Sequence, residues 1–198
     1  MKDAAEIVKN GGIIIFPTDT AFGIGCRIDN HAAVDRLFRI RRRPIAQAMP
    51  VLVSSIPMAL TYYLDVPDIV RHLMKEYWPG ALTIVARCNE NYIDSPIRGG
   101  GNTVGLRMPN HPAILKIIEE VGVPILGPSA NFHGASTPYS MADLNPELVK
   151  LVDYVVPASP MTSSQGGPGE CTVKQASTVV DCSVTPYKIL RHGAVKLE

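Results

Sequence analysis

What most constrains this chain is the change of character at residue 17. Ile13-Ile14-Ile15-Phe16 is an unbroken apolar, β-branched run of strand length, the composition of a strand covered on both faces. Pro17 ends it, and Thr18, Asp19 and Thr20 follow at once with two hydroxyls and a carboxylate. A polar cluster at the carboxyl end of a buried strand is where open α/β sheets gather ligands. Gly23 and Gly25 then allow close backbone approach, which we expect to serve a ligand. Taken alone, the same residues also describe an ordinary Asp/Thr turn after a strand.

The rest of the chain supplies further elements of the same kind. Asp3 caps a short helix that Gly11 and Gly12 end, and Asn30 caps a second with Val34, Leu37 and Phe38 on one face, stopped by Pro44. Val51 to Val53, Leu82 to Ala86 and Val104 to Met108 read as strands, and Pro67 opens a helix running to Tyr77. Asn110 is expected to cap a helix containing Ile114, Leu115, Ile117 and Ile118, with Gly122 ending it before the strand Pro124 to Leu126. That strand opens into Gly127-Pro128-Ser129-Ala130-Asn131, repeating the pattern at residue 17, so two polar strand ends can face one crevice. Ser140 with Asp143 marks a helix start, Ser163 to Gly169 a flexible loop, and Tyr154 to Val156, Ser177 to Asp181 and Tyr187 to Arg191 three more strands. The alternation points to one α/β domain over residues 1–198, long enough to bury a sizeable core.

Nineteen basic against eighteen acidic residues leave a net charge of +1, so affinity for a polyanion must come from local clustering. Arg36, Arg39, Arg41, Arg42 and Arg43 provide it. One or two cations suit a helix C-terminus, but so many repel one another and call for a nearby anion. The polar strand ends hold arginines and neutral hydrogen-bonding groups without a convincing nucleophile, a set suited to phosphates and carboxylates and to charge stabilisation in phosphoryl or nucleotidyl transfer. No Gly-x-x-x-x-Gly-Lys-Ser/Thr is present, which argues against a P-loop NTPase. Cys26, Cys88, Cys171 and Cys182 are dispersed and the five histidines lack ligand spacing, so reduced thiols and no protein-held metal are expected. The amino-terminal residues lack a signal-peptide core and no apolar run approaches membrane-spanning length; a cytoplasmic protein is expected.

Taken together, Pro17-Thr18-Asp19-Thr20-Ala21-Phe22-Gly23, Arg41-Arg42-Arg43-Pro44, Trp78-Pro79-Gly80, Thr103-Val104-Gly105-Leu106-Arg107, Ser129-Ala130-Asn131 and Ser177-Thr178-Val179-Val180-Asp181 with Arg191 resemble the YrdC family of threonylcarbamoyl-AMP synthases over nearly the whole chain. The resemblance implies a twisted, mixed parallel and antiparallel open sheet with flanking helices around a basic cavity. It implies that ATP, L-threonine and bicarbonate or CO2 become threonylcarbamoyl-adenylate and pyrophosphate. Magnesium would travel with ATP, and a downstream tRNA threonylcarbamoyl transferase would use the product for N6-threonylcarbamoyladenosine. By the same resemblance Thr20, Arg107, Ser129 and Ser177 contact threonine, while Arg43, Gln47, Thr103, Asn131, Tyr139 and Arg191 contact ATP. Arg41 and Arg43 would offset phosphate charge during the reaction. Arg41 stands where the family has lysine, keeping the charge with a broader planar donor set; Tyr139 and His133 replace smaller hydroxyl residues. Two other readings remain open: an RNA-binding protein of this fold without synthase activity, resting on the arginine cluster, and a relative with a changed reaction.

Overall fold

A computed structural model describes residues 2–157 and 171–197; the loop expected at residues 163–169 lies outside them. Helix α1 (Lys2–Lys9) leads through Gly11, at φ +83°, into β1 (Ile14–Phe16), every residue of which is buried. β2 (Gly23–Gly25) folds back antiparallel on it, pairing Phe16 with Gly23 and Ile14 with Gly25. Only residues 17–22 therefore form the polar loop. Of the two glycines expected to serve a ligand, Gly23 lines the cavity described below and Gly25 does not; both also lie tight against a neighbouring strand. A Cβ on Gly23 would lie 2.5 Å from the Phe16 ring, and one on Gly25 1.8 Å from the Leu126 carbonyl oxygen. These glycines let strands meet.

Helix α2 (His31–Arg41) is capped by Asn30, whose side chain accepts from the Ala33 amide at 3.0 Å. It stops at Arg42, which takes the left-handed conformation at φ 53° two residues before Pro44. After β3 (Val51–Leu52) comes α3 (Ile56–Tyr62), an element not foreseen above. In the fold Pro57 occupies the first turn, where its missing N–H costs nothing, and Ser55 accepts from Met58 N. α4 (Asp68–Tyr77) matches its expected span, followed by β4 (Leu82–Arg87), the single turn α5 (Ser95–Arg98), also unforeseen, and β5 (Thr103–Arg107). α6 (Pro112–Val121) is preceded by His111 rather than capped by Asn110, and Gly122 ends it at φ +82°. β6 (Ile125–Leu126), a 3-10 turn at Met141–Asp143, α7 (Pro146–Val149), β7 (Tyr154–Val155), β8 (Thr178–Asp181) and β9 (Lys188–Arg191) complete the described elements.

The strands form a three-stranded sheet, β2-β1-β7, and a six-stranded sheet, β6-β3-β5-β4-β8-β9. Both are mixed: β1 runs parallel to β7 and antiparallel to β2, while β3 and β4 each have one parallel and one antiparallel neighbour. The β5-α6-β6 segment is not a parallel crossover, because β6 joins the far side of β3 in the opposite direction. Leu52 and Arg107 stand opposite each other on one face of the larger sheet. At the β3 and β6 end that face is covered by Val8 of α1 and Ile114, Ile117 and Ile118 of α6. Farther along it is only half-buried at Gly105, Val85 and Val179. The site lies where the cover ends.

Candidate active site

Backbone hydrogen bonds join the two polar strand ends foreseen in the sequence. Ala130 N donates to Phe22 O at 2.8 Å, Ile24 N to Pro128 O at 2.9 Å and Phe22 N to Pro138 O at 2.9 Å. Inside the first loop the Thr18 hydroxyl donates to Ala21 O at 2.6 Å and accepts from the amides of Thr20 and Ala21, each at 3.2 Å. Thr18 thus organises the turn. This leaves the Thr20 hydroxyl turned toward Arg107.

Arg107, at the carboxyl end of β5, is held from three sides: Nε donates to Gly80 O at 2.9 Å, Nη1 to Thr20 Oγ1 at 2.6 Å and Nη2 to Asp19 Oδ1 at 2.5 Å. Burial pulls its pKa below the usual arginine range, Asp19 opposes that shift and Arg191 reinforces it. A guanidinium carries five N–H groups, so one remains on each Nη, the paired donors that suit a carboxylate. Opposite, the Ser177 hydroxyl lies 2.9 Å from Thr83 Oγ1 and accepts from Arg191 Nη2 at 2.9 Å. Arg191 also donates to the Ser177 carbonyl through Nε at 3.0 Å and Nη2 at 2.8 Å.

A cavity of about 110 Å³ brings together Thr20, Arg107, Ser129 and Ser177, the four residues expected to hold threonine, with Arg191 at its edge. That volume is below the roughly 300–1,000 Å³ of drug-sized pockets and suits a small metabolite. Thr83 and Thr137 add hydroxyls that sequence reasoning missed. The signal for Thr83 was present, a hydroxyl in the otherwise apolar run Leu82-Thr83-Ile84-Val85.

Arg41, Arg43, Gln47, Thr103, Asn131 and Tyr139 do not line this cavity. Arg41 is 3% exposed and uses its fork on one residue, Nε donating to Asn131 O at 3.1 Å and Nη2 to Asn131 Oδ1 at 3.0 Å. Its Nη1 is buried without a hydrogen-bond partner among the described residues, and burial, with Arg43 adding to it, brings its pKa down to about 10. The same Asn131 oxygen accepts from Ser129 Oγ at 2.7 Å, which ties Arg41 to the cavity wall through one amide. Arg43 donates to the carbonyls of Gln47 and Ala48, and Gln47 itself is exposed. Thr103 lies four residues up β5 from Arg107, about 13 Å along the strand and on the same face. Tyr139 is half-buried and acts electrostatically on Arg191. His133 is exposed, with its backbone N bonded to Arg41 O.

The arginine cluster does not form the single anion-seeking face its spacing implied. Arg36 pairs with Asp153 at 2.6 Å, Arg42 lies 4.6 Å above the Phe132 ring, and Arg41 points inward. Mutual repulsion is relieved by sending each side chain to a different protein partner. Cys26, Cys88, Cys171 and Cys182 are free thiols, all buried. Among the described residues no three of His, Cys, Asp and Glu gather as a metal cage, and no helix is long and apolar enough to cross a membrane.

A mixed sheet, half-covered by helices and bordering a small hydroxyl-lined cavity with a buried arginine, defines the class: an α/β protein with a small polar pocket at its strand ends. Residues 6–193 match the Sua5/YciO/YrdC family, described as telomere recombination. The chain belongs to that family. It is 31% identical over 199 residues to the threonylcarbamoyl-AMP synthase of Bacillus subtilis, covering 98% of this chain and 54% of that protein. The crystal structure of Pyrococcus abyssi Sua5 complexed with L-threonine superposes with a TM-score of 0.88 at 30% identity, over 97% of this chain and 53% of the other. The crystal structure of Escherichia coli YciO gives 0.77 at 26% identity, over 96% of this chain and 87% of the other. The chain thus spans about half the length of the Bacillus subtilis and Pyrococcus abyssi proteins.

Proposed function

We propose that the protein is a threonylcarbamoyl-AMP synthase, a nucleotidyltransferase that makes threonylcarbamoyl-adenylate from L-threonine, bicarbonate or CO2, and ATP. The observation that carries the reading is Arg107, fixed on three sides with one N–H left on each Nη, in a cavity sized for a small amino acid. The Pyrococcus abyssi relative complexed with L-threonine supports it.

In this reading the threonine carboxylate sits on Arg107, while Thr20, Ser129 and Ser177 meet its other polar groups. The amine adds to CO2 derived from bicarbonate and loses a proton, giving a carbamate. A carbamate oxygen then attacks the α-phosphorus of ATP, the bond to the bridging oxygen breaks, and pyrophosphate leaves with that electron pair. No covalent enzyme intermediate is needed, so the protein's contribution is position and positive charge. ATP would lie along the half-buried sheet face, with Arg43 and Arg191 offsetting phosphate charge and Thr103, Gln47, Asn131 and Tyr139 contacting the nucleotide. Arg41 would act through Asn131. Magnesium would arrive on the phosphates, held by their oxygens and water, a donor set that asks for no protein cage. The product would pass, in the cytoplasm, to a tRNA-modifying transferase.

A second reading, a family member with a changed reaction, rests on Arg41 standing where the resemblance expects lysine. The experiment that separates them is pyrophosphate release with ATP, bicarbonate and threonine supplied or withheld. Release that depends on threonine, and falls at least tenfold in Arg107→Ala through threonine KM, is the expected result. Release indifferent to threonine overturns the synthase reading. Salt-sensitive RNA binding without release would favour the RNA module instead.

A further inference from the structure

The two arginines of the cavity differ in what faces them. Arg107 meets the Asp19 carboxylate at 2.5 Å, with 8% and 4% of the two side chains exposed. Arg191 is exposed and gives its donors to Ser177; among the described residues no carboxylate pairs with it. Asp19 does not line the cavity itself. It stands behind Arg107, its own backbone carbonyl accepting from Val173 N at 2.8 Å.

We propose that Asp19 is a positioning residue that sets the pocket's specificity: it cancels the charge of Arg107 while holding the fork, so that the remaining N–H groups take the carboxylate of a zwitterion and do not retain phosphate. This rests on reading the cavity as an amino-acid site. A buried guanidinium without a counter-charge attracts any anion, and a phosphate dianion about twice as strongly as a carboxylate at the same distance. ATP and pyrophosphate would be present beside this pocket throughout turnover, so such an arginine would be occupied by the wrong substrate. With Asp19 in place only directional hydrogen bonds remain there, and these match two coplanar carboxylate oxygens. The uncancelled Arg191, at the rim, is left for the polyanion. Asp19 thereby sorts the two substrates by charge.

The test is threonine binding by calorimetry, without ATP, in the presence and absence of excess inorganic phosphate. Wild type should bind threonine with an affinity that phosphate changes less than twofold. In Asp19→Asn phosphate should weaken threonine binding at least fivefold, and Asp19→Glu, which restores the charge, should behave like wild type. Insensitivity to phosphate in Asp19→Asn overturns the proposal. If Asp19→Asn is unstable, added phosphate should restore its folding by supplying the missing charge; instability that phosphate does not relieve also overturns it. If wild type binds no threonine, the amino-acid reading fails separately. The role of Asp19 then stands or falls on whether Asp19→Asn gains a phosphate site that Asp19→Asn with Arg107→Met lacks.

Discussion

Replacing Arg41 with methionine should change stability little and nucleotide use a great deal. Methionine keeps much of the length and apolar stem but removes the charge and both hydrogen bonds to Asn131. Each bond from a charged donor contributes about 1.5–3 kcal/mol, so their loss alone would cost roughly 3–6 kcal/mol. Against this, burial has driven the Arg41 pKa down to about 10 and left Nη1 without a partner among the described residues, a penalty of roughly 3 kcal/mol on the charged form that methionine does not carry. The net destabilisation is then about 0–3 kcal/mol, small for a residue so deeply buried. Arg41→Lys should do no better, because it keeps a buried cation and gives up the planar fork that reaches both Asn131 oxygens. The assay is urea unfolding followed by the single tryptophan, Trp78, which is 7% exposed, alongside threonine-dependent pyrophosphate release at varied ATP. In both variants Asn131 loses an orienting donor, and ATP KM should rise about tenfold, close to 1.4 kcal/mol. A loss above about 4 kcal/mol would refute the charge argument, and an unchanged ATP KM would refute the link through Asn131.

Three further outcomes are expected. Asn131→Ala should raise ATP KM about tenfold and threonine KM about threefold, because the lost Oδ1 also holds Ser129; a change confined to threonine in steady-state kinetics would contradict this. Gly25→Ala places a Cβ 1.8 Å from the Leu126 carbonyl oxygen, so the β2–β6 junction must move, and a loss of about 3 kcal/mol should lower the melting temperature by roughly 6–12 °C; a Tm within two or three degrees of wild type would show that the junction yields. Burial pushes the Cys26 thiol up to about 12, with Arg36 partly opposing, so at pH 8 its alkylation should be about a thousandfold slower folded than unfolded. Because the folded value is the higher one, the stabilisation by neutral Cys26 is complete below the ordinary thiol pKa and is lost as pH rises from about 9 to 12. Unfolding midpoints that are flat across that window would argue against it.

Elements whose signals are local could be read from the residues alone. β1 was legible because a run of four apolar residues cannot be solvated, and α2, α4 and α6 because i, i+3, i+4 spacing and caps such as Asn30 are set within a few residues. The convergence of Thr20, Arg107, Ser129 and Ser177 was also foreseeable, since each stands at one end of an apolar strand, Ser177 just before the start of β8 and the others at or after a strand's carboxyl end. What the sequence could not decide was which donor each polar group would use. Gly23-Ile24-Gly25 carries little strand propensity, and its pairing is dictated by Phe16 and by Ser129, more than a hundred residues away. The arginines from 36 to 43 look alike in sequence, yet one meets Asp153, one an aromatic ring and one the amide of Asn131. Asp19 read equally as a ligand-side carboxylate or a turn residue until Arg107, 88 positions later, arrived beside it. Local propensity is summed over neighbours in the chain, whereas charge, desolvation and hydrogen bonding depend on neighbours in space, and only the closed fold supplies those.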